Sequence, residues 1–124
     1  MTAPRLLAIL WADLVESTET VARLGPEAGE AWRQRFLAAM REALAAARGR
    51  EVQHTGDGLF AAFDSASDAV ACAVGLQQRV AQASQRRDAG APAAARVAVS
   101  AGEAREDAEG VHGLVVVEAA RAVP

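Results

Sequence analysis

The stretch Thr55-Gly56-Asp57-Gly58 presents one carboxylate between two glycines, a pattern typical of a tight β-hairpin turn. Short segments with strand character flank it, Arg50–Gln53 before the turn and Leu59–Phe63 after it. Upstream, the apolar run Arg5–Ala12 has the length and bounds of a buried strand, and Asp13 follows it directly. If this first strand pairs antiparallel with the second hairpin strand, Asp57 lies beside Asp13.

Two carboxylates held this close repel each other unless a cation lies between them. Carboxylate oxygens are ligands that Mg²⁺ prefers, and protein-bound Mg²⁺ commonly holds substrate phosphates at the same time. The placement of Asp13 and Asp57 therefore predicts a divalent metal and phosphate site at the end of two neighbouring strands.

Length and composition limit the class of protein. The chain has 124 residues, enough for one domain with a single core, and 52% of them are hydrophobic, which indicates a globular protein. The net charge of -3, with no basic segment, argues against a nucleic-acid partner. No apolar run approaches the roughly 20 residues that would span a membrane. The heavy use of Ala, Arg and Gly is typical of GC-rich bacterial genomes.

The cysteine content bears on the cellular compartment. The single cysteine, Cys72, falls among apolar residues of a predicted helix and is expected to be a buried, inert thiol. One cysteine excludes an internal disulfide, and this fits a reducing cytosol. A cytoplasmic location is therefore expected.

Apolar periodicity predicts three helices before the last strand. The longest runs over Glu27–Arg48 and is expected to end at Gly49 as its C′ glycine. A short helix, Glu19–Leu24, precedes it and would be capped by Ser17 or Thr18; a third covers Asp68 to about Arg86, capped by Ser65 or Ser67. The apolar stripe of the long helix is formed by Trp32, Phe36, Met40 and Leu44, with Leu37 beside them.

The C-terminal third is predicted to contain a strand, a connector and a last helix. Arg96–Ala101 alternates like a strand, and Gly102–Gly110 reads as an acidic connector or a short ribbon. His112–Val123 is predicted to be helical, although Val115–Val117 would also suit a strand. The resulting element order predicts a ferredoxin-like βαββαβ α/β sandwich, with the helices on one sheet face and the first strand beside the second hairpin strand.

Three segments then resemble one protein family: Trp11–Thr18, Gly49–Gly58 and Gly113–Arg121 are similar to the catalytic domain of class III adenylate/guanylate cyclases. The resemblance runs from about Leu6 to Arg121. It implies a ferredoxin-like fold of nucleotide cyclase type and conversion of ATP or GTP to cyclic AMP or cyclic GMP in signalling. It also implies that residues 1–124 form a single cyclase-homology domain that is incomplete at the C-terminus, because the family domain continues beyond this helix.

The resemblance assigns roles to individual residues. It implies that Asp13 and Asp57 bind two Mg²⁺ or Mn²⁺ ions, which hold the nucleoside triphosphate and activate its 3′-hydroxyl. Arg121 occupies the position of the arginine that stabilises the transition state, although at the end of a helix it could equally be a solvated charge. Family sites form between two subunits, so a homodimer, or a heterodimer with a cyclase homologue, is expected.

Four other positions depart from the family pattern. Gln53 and Gly110 stand at the two base-selecting positions, where the family has a lysine and an acid. Val117 replaces the asparagine that orients the ribose, and Glu16 replaces a glycine that the phosphates approach closely. Loss of one well-placed polar group typically lowers the rate by about 10²–10³.

The domain is therefore expected to be a weak or inactive cyclase by itself. Two alternatives stay open: a catalytically inactive nucleotide-binding or dimerisation module, and a half-site donor that lends its aspartates to a complete cyclase partner.

The remaining polar and aromatic residues receive plainer interpretations. His54 is expected to be a strand residue that faces solvent or a helix, with a ligand role beside Asp57 as the alternative, and His112 is expected at the surface. Trp11 and Trp32 are expected to be core or dimer-interface aromatics. The acidic cluster is interpreted as a solvated ribbon; it consists of Glu103, Glu106, Asp107 and Glu109.

Overall fold

The computed structural model describes residues 3–87 and 90–122, which form five strands and four helices. In chain order the elements are β1 (Arg5–Leu14), α1 (Ser17–Leu24), α2 (Pro26–Ala46), β2 (Arg50–Thr55), β3 (Gly58–Phe63), α3 (Ala66–Ser84), β4 (Ala95–Asp107), β5 (Gly110–His112) and α4 (Leu114–Ala122). No helix of these ranges has the length and apolar character needed to cross a bilayer.

The five strands form one antiparallel sheet in the order β2-β3-β1-β4-β5. The central strand β1 pairs with β3 on one side and with β4 on the other. The predicted pairing of the first strand with the second hairpin strand is thus confirmed, and so is the ferredoxin-like βαββαβ core.

One face of the sheet is covered by α2 and α3. Alternate residues of β1, from Ala8 to Leu14, pack against the apolar stripe of α2, and every predicted member of that stripe is buried. Ser65 caps α3 as predicted, accepting a hydrogen bond from the Asp68 amide at 3.0 Å. Cys72 faces this core, and burial raises the pKa of its thiol to about 11, as expected of an inert cysteine.

The opposite face of the sheet is covered by α4. Leu7 and Ile9 of β1 and Phe60 of β3 pack there against Val115 and Ala119. The prediction that all helices lie on one sheet face was therefore wrong for α4. Because β1 carries large apolar side chains on both faces, each face needs its own cover to keep that surface from water.

Two helix ends differ from the predictions. Neither Ser17 nor Thr18 caps α1, because Glu16 takes the N-cap position in a left-handed conformation, with φ 52° and ψ 35°, and makes no side-chain cap bond. At the end of α2, Arg48 adopts the left-handed conformation (φ 61°) in place of Gly49. Gly49 is required for a different reason, because a Cβ there would lie 2.7 Å from the ring of Phe63.

The acidic segment forms the short ribbon that the sequence left as an option. Strand β4 continues to Asp107 and turns into β5, so the strand is longer than predicted and His112 belongs to β5 rather than to the last helix. The helix begins at Leu114, which settles Val115–Val117 as helical. The predicted end of that helix, Val123, lies outside the described residues.

Glu106 is not the solvated residue that the sequence suggested. Its carboxylate accepts hydrogen bonds from Arg50 of β2 at 2.7 and 2.8 Å and from Arg5 of β1 at 2.9 Å. Asp64, after β3, pairs with the same two arginines at 2.8 and 3.1 Å. This cluster links β2 to β1 and β4, neither of which is its neighbour in the sheet.

Candidate metal and nucleotide site

The antiparallel register places Asp13 and Asp57 side by side. Asp13 is the β1 partner of Gly58, the first residue of β3, and the Leu14 amide donates a hydrogen bond to the Asp57 carbonyl at 2.9 Å. Gly58 permits this approach, since a Cβ there would lie 2.5 Å from the Ala12 carbonyl oxygen. The hairpin turn and the end of β1 thereby bring together the two carboxylates that the sequence singled out.

The surroundings of Asp13 favour a bound cation. Partial burial raises the pKa of Asp13, the guanidinium of Arg96 opposes this rise, and the negative charge of Asp57 adds to it. Oδ1 of Asp13 is buried and has no hydrogen-bond partner within the described part of the chain. A buried carboxylate oxygen without a partner is costly, and a metal ion would satisfy it.

Ser17 holds the second carboxylate. Its side chain is nearly buried, and its hydroxyl donates a hydrogen bond to Oδ2 of Asp57. The sequence suggested Ser17 as a helix cap, and this role was missed because it depends on the left-handed turn at Glu16. That turn carries the chain from β1 into α1 beside the hairpin.

The described residues offer too few side-chain ligands for a metal that is held by protein groups alone. Over residues 3–87 and 90–122 there is no cluster of three or more His, Cys, Asp or Glu side chains placed to hold a metal. Asp13 and Asp57 alone could supply carboxylate oxygens, and Mg²⁺ is usually held by one or two carboxylates with water and substrate phosphates completing its shell.

A cavity of about 200 Å³ adjoins Asp57 on the side of α1 and α2. It is lined by Ser17, Thr18, Val21, Arg33 and Asp57. Arg33 was not predicted from the sequence. It follows Trp32 of the buried stripe, and only the packing of α2 beside the hairpin shows that it reaches this cavity.

A second cavity, of about 470 Å³, lies on the sheet face covered by α4. Its lining includes the aromatic pair Trp11 and Phe60, with ring centroids 5.7 Å apart, and the two positions predicted to select the base, Gln53 and Gly110. Glu109 also lines it, a carboxylate that sequence reasoning passed over because it belongs to the acidic ribbon. The structure thus gathers the two predicted base positions at one apolar cavity with polar groups at its rim.

The two remaining predicted residues lie on the outer side of α4. Val117 is 42% exposed, and neither it nor Arg121 lines either cavity, whereas Val116 and Ala120 line the second one. Arg121 is exposed and forms no hydrogen bond or ion pair with the residues that the structure describes. His112, expected at the surface, is exposed at the rim of the second cavity.

The fold of this chain is similar to that of solved nucleotide cyclase domains. No protein-family model and no curated protein sequence matches the chain. Among solved structures, the guanylyl cyclase Cya2 superposes with a TM-score of 0.83 at 25% identity, covering 97% of this chain and 70% of that one. An adenylate/guanylate cyclase/hydrolase from Silicibacter pomeroyi gives 0.69 at 29% identity, covering 96% and 69%.

A third similar structure contains a nucleotide analogue. The catalytic core of a rhodopsin-guanylyl cyclase with converted specificity, in complex with ATPαS, superposes with a TM-score of 0.79 at 14% identity. The match covers 98% of this chain and 73% of that one. At this identity the likeness shows the fold.

Proposed function

We propose that this chain, which has the fold of a class III nucleotide cyclase catalytic domain, binds a nucleoside triphosphate with divalent metal in cyclic nucleotide signalling. The observation that carries the proposal is the pairing of Asp13 with Asp57, in which Oδ1 of Asp13 is buried without a protein partner. Two neighbouring carboxylates repel each other when no cation is bound, and they can both coordinate a divalent cation when one is present.

The metal-binding half of the site would consist of Asp13 and Asp57. When bound, Mg²⁺ or Mn²⁺ ions would neutralise phosphate charge and lower the pKa of the attacking 3′-hydroxyl. The chain's own residues fix this half in place: Ser17 orients the Asp57 carboxylate, and the Leu14 amide holds the turn against β1.

The base-binding half would be the cavity on the α4 face. The apolar Trp11 and Phe60 side chains could pack on a purine ring, while Gln53 and Glu109 supply polar groups at the rim. The amide of Gln53 can donate as well as accept, and Gly110 offers no side chain, so these two positions lack the lysine and the acid of the family pattern. We therefore expect poor discrimination between ATP and GTP.

The reaction that the family performs needs more than these two halves. The 3′-oxygen attacks the α-phosphorus, a new phosphorus–oxygen bond forms, and pyrophosphate leaves with the electrons of the bond that breaks. Arg121 is the residue retained for stabilising that transition state, but Val117 can neither donate nor accept a hydrogen bond to the ribose. Turnover by this chain alone should therefore be weak, since each such loss costs about 10²–10³ in rate.

Arg121 supports a site shared between subunits. Its exposed position on α4, outside both cavities, would let it approach the aspartates of a second chain. The guanylyl cyclase domain of the RhoGC fusion protein from the fungus Blastocladiella emersonii has been crystallised both as a non-canonical dimer and as a monomer, so a domain of this fold can adopt different oligomeric states. A half-site donor to a complete cyclase, or an inactive nucleotide-binding module, would associate with its partner through the same surfaces.

Product formation tests the proposal. The purified chain should be incubated with ATP or GTP and Mn²⁺, and the cyclic nucleotide formed should be measured. The assay should be repeated with a cyclase domain that has all other site residues but whose metal-binding aspartates have been replaced. We expect trace product at most from the chain alone and none from Asp57→Asn. Robust turnover by the chain alone, abolished by Asp57→Asn, would contradict weak activity, whereas product only in the mixture would favour the half-site role.

A further inference from the structure

Arg33 of α2 lies against the hairpin turn that carries Asp57. Its Nη1 donates to the Gly56 carbonyl at 3.3 Å, and a Cβ on Gly56 would lie 2.8 Å from the same nitrogen. Arg33 also lines the small cavity of about 200 Å³ beside Asp57, together with Ser17 and Thr18. The guanidinium therefore lies against the turn and beside the cavity that Asp57 lines.

Within the described residues, the guanidinium of Arg33 forms only one ion pair, and that ion pair is weak. Nη2 pairs with Glu30 at 2.5 Å, but the Glu30 side chain is 51% exposed, and ion pairs to exposed partners contribute little. Nε of Arg33 is buried without a hydrogen-bond partner among the described residues. A more highly charged anion in the cavity could therefore compete with Glu30 for the guanidinium.

Phosphate is the anion that this arrangement suits. A guanidinium presents a planar fork of donors that matches phosphate oxygens, and the hydroxyls of Ser17 and Thr18 lie at the same cavity. The cavity adjoins Asp57, so a phosphate chain whose reacting end lies at the carboxylate pair could extend its other end into it.

We infer that Arg33 binds the phosphates beyond the α-phosphate of the nucleoside triphosphate, an inference that rests on the proposed function. Arg33 thus acts as a substrate-binding residue supplied by the long helix. Its expected effect is a preference for triphosphates over monophosphates rather than a choice of base.

Binding of a nucleotide that cannot cyclise tests this inference without relying on activity. The full chain should be titrated calorimetrically with 3′-deoxy-ATP and with AMP in the presence of Mn²⁺. We expect Arg33→Gln to raise the triphosphate Kd at least fivefold and to leave any monophosphate binding unchanged. Arg35→Gln is the matched control, because Arg35 lies on the same helix but lines a different groove, between α2 and α3.

The outcomes separate the inference from the proposed function. If the unaltered chain binds no triphosphate, both are overturned. If it binds and Arg33→Gln changes the triphosphate Kd no more than Arg35→Gln does, only the inference is overturned. Should Arg33→Gln fail to fold, Arg33→Lys replaces it: loss of the planar fork should still raise the triphosphate Kd by at least twofold, and an unchanged Kd overturns the inference.

Discussion

At the scale of single residues, the carboxylate pair that would bind a cation lowers the stability of the cation-free protein. Burial, aided by the Asp57 charge, raises the pKa of Asp13 above its ordinary value of 3.8. Between that value and the raised pKa, the folded protein binds more protons than the unfolded chain. Stability therefore falls as pH rises through this window, and the deficit persists at neutral pH.

Asp13→Asn should raise the melting temperature at pH 7 in EDTA by a few degrees, because it removes a partly desolvated charge beside Asp57. The same change should abolish any stabilisation by Mn²⁺, which thermal unfolding with and without the metal would measure. Asp64→Asn is the control, since arginines lower the pKa of Asp64 and its loss should not stabilise the protein. A Mn²⁺-dependent shift that survives in Asp13→Asn would argue against Asp13 as a ligand.

Glu16 combines a strained backbone conformation with a position near the predicted phosphate site. A non-glycine residue at φ 52° costs on the order of 1 kcal/mol, offset in part by the greater freedom of glycine in the unfolded chain. Glu16→Gly should leave the unfolding free energy unchanged or raise it by up to about 1 kcal/mol. By removing a carboxylate from the phosphate approach, it should also tighten triphosphate binding.

Urea unfolding and calorimetry would measure both effects of Glu16→Gly. Glu19→Gly is the control, because it makes the same change within α1, where glycine is unfavourable. It should lower the unfolding free energy by about 1 kcal/mol. Equal destabilisation by the two substitutions would show that the left-handed turn carries no strain.

At the scale of elements, Glu106 links β4 to β1 and β2, and its pKa lies below the ordinary 4.5 chiefly because Arg50 donates to it. Because the pKa of Glu106 is lowered on folding, the folded protein binds fewer protons than the unfolded chain. The stabilisation by the Glu106 carboxylate is therefore complete above pH 4.5 and is lost as pH falls through the pKa of the folded state. Glu106→Gln should lower the unfolding free energy by about 1 kcal/mol at pH 7.

The difference in unfolding free energy between wild type and Glu106→Gln should decrease as the pH falls below 4.5. Urea unfolding at several pH values would measure it. Glu103→Gln is a suitable control, because Glu103 is exposed on the same strand and has no recorded ion pair within the described residues. A destabilisation that does not depend on pH would assign the effect to packing rather than to charge.

At the scale of the whole molecule, the outer side of α4 carries apolar surface. Leu114 and Val117 are 69% and 42% exposed and share that side with Arg121, three to four residues apart along the helix. A dimer that brings Arg121 to a partner's aspartates would bury this stripe. We expect association at about 50 µM, with more than about 1,000 Å² buried in total.

Val117→Asp should convert this dimer to monomer in light scattering, because it places a charge in the buried contact. Val74→Asp introduces the same charge at an apolar residue that is 53% exposed on α3, and should leave the dimer intact. A monomeric wild type, or a dimer lost equally in both variants, would mean that Asp13 and Asp57 are not completed through α4.

The sequence by itself determined the hairpin turn, the approach of Asp57 to Asp13 and most strands and helices, but it left β5 and the limits of β4 and α4 open. These follow from local rules, since apolar periodicity and turn chemistry act over a few residues, and pairing β1 with β3 then fixes the register. Gln53 and Gly110 line one cavity, and the base-selecting role that the family resemblance implies for them stays a prediction.

Only the tertiary structure decided which sheet face α4 covers, that Ser17 holds Asp57 and that Arg33 and Glu109 reach cavities. Each depends on side chains that are distant in sequence and meet only when the elements pack. The left-handed turn at Glu16 belongs with them, because nothing in the residue type favours that conformation. Local pattern thus specified the elements and the carboxylate pair, whereas packing decided which neighbours could act with that pair.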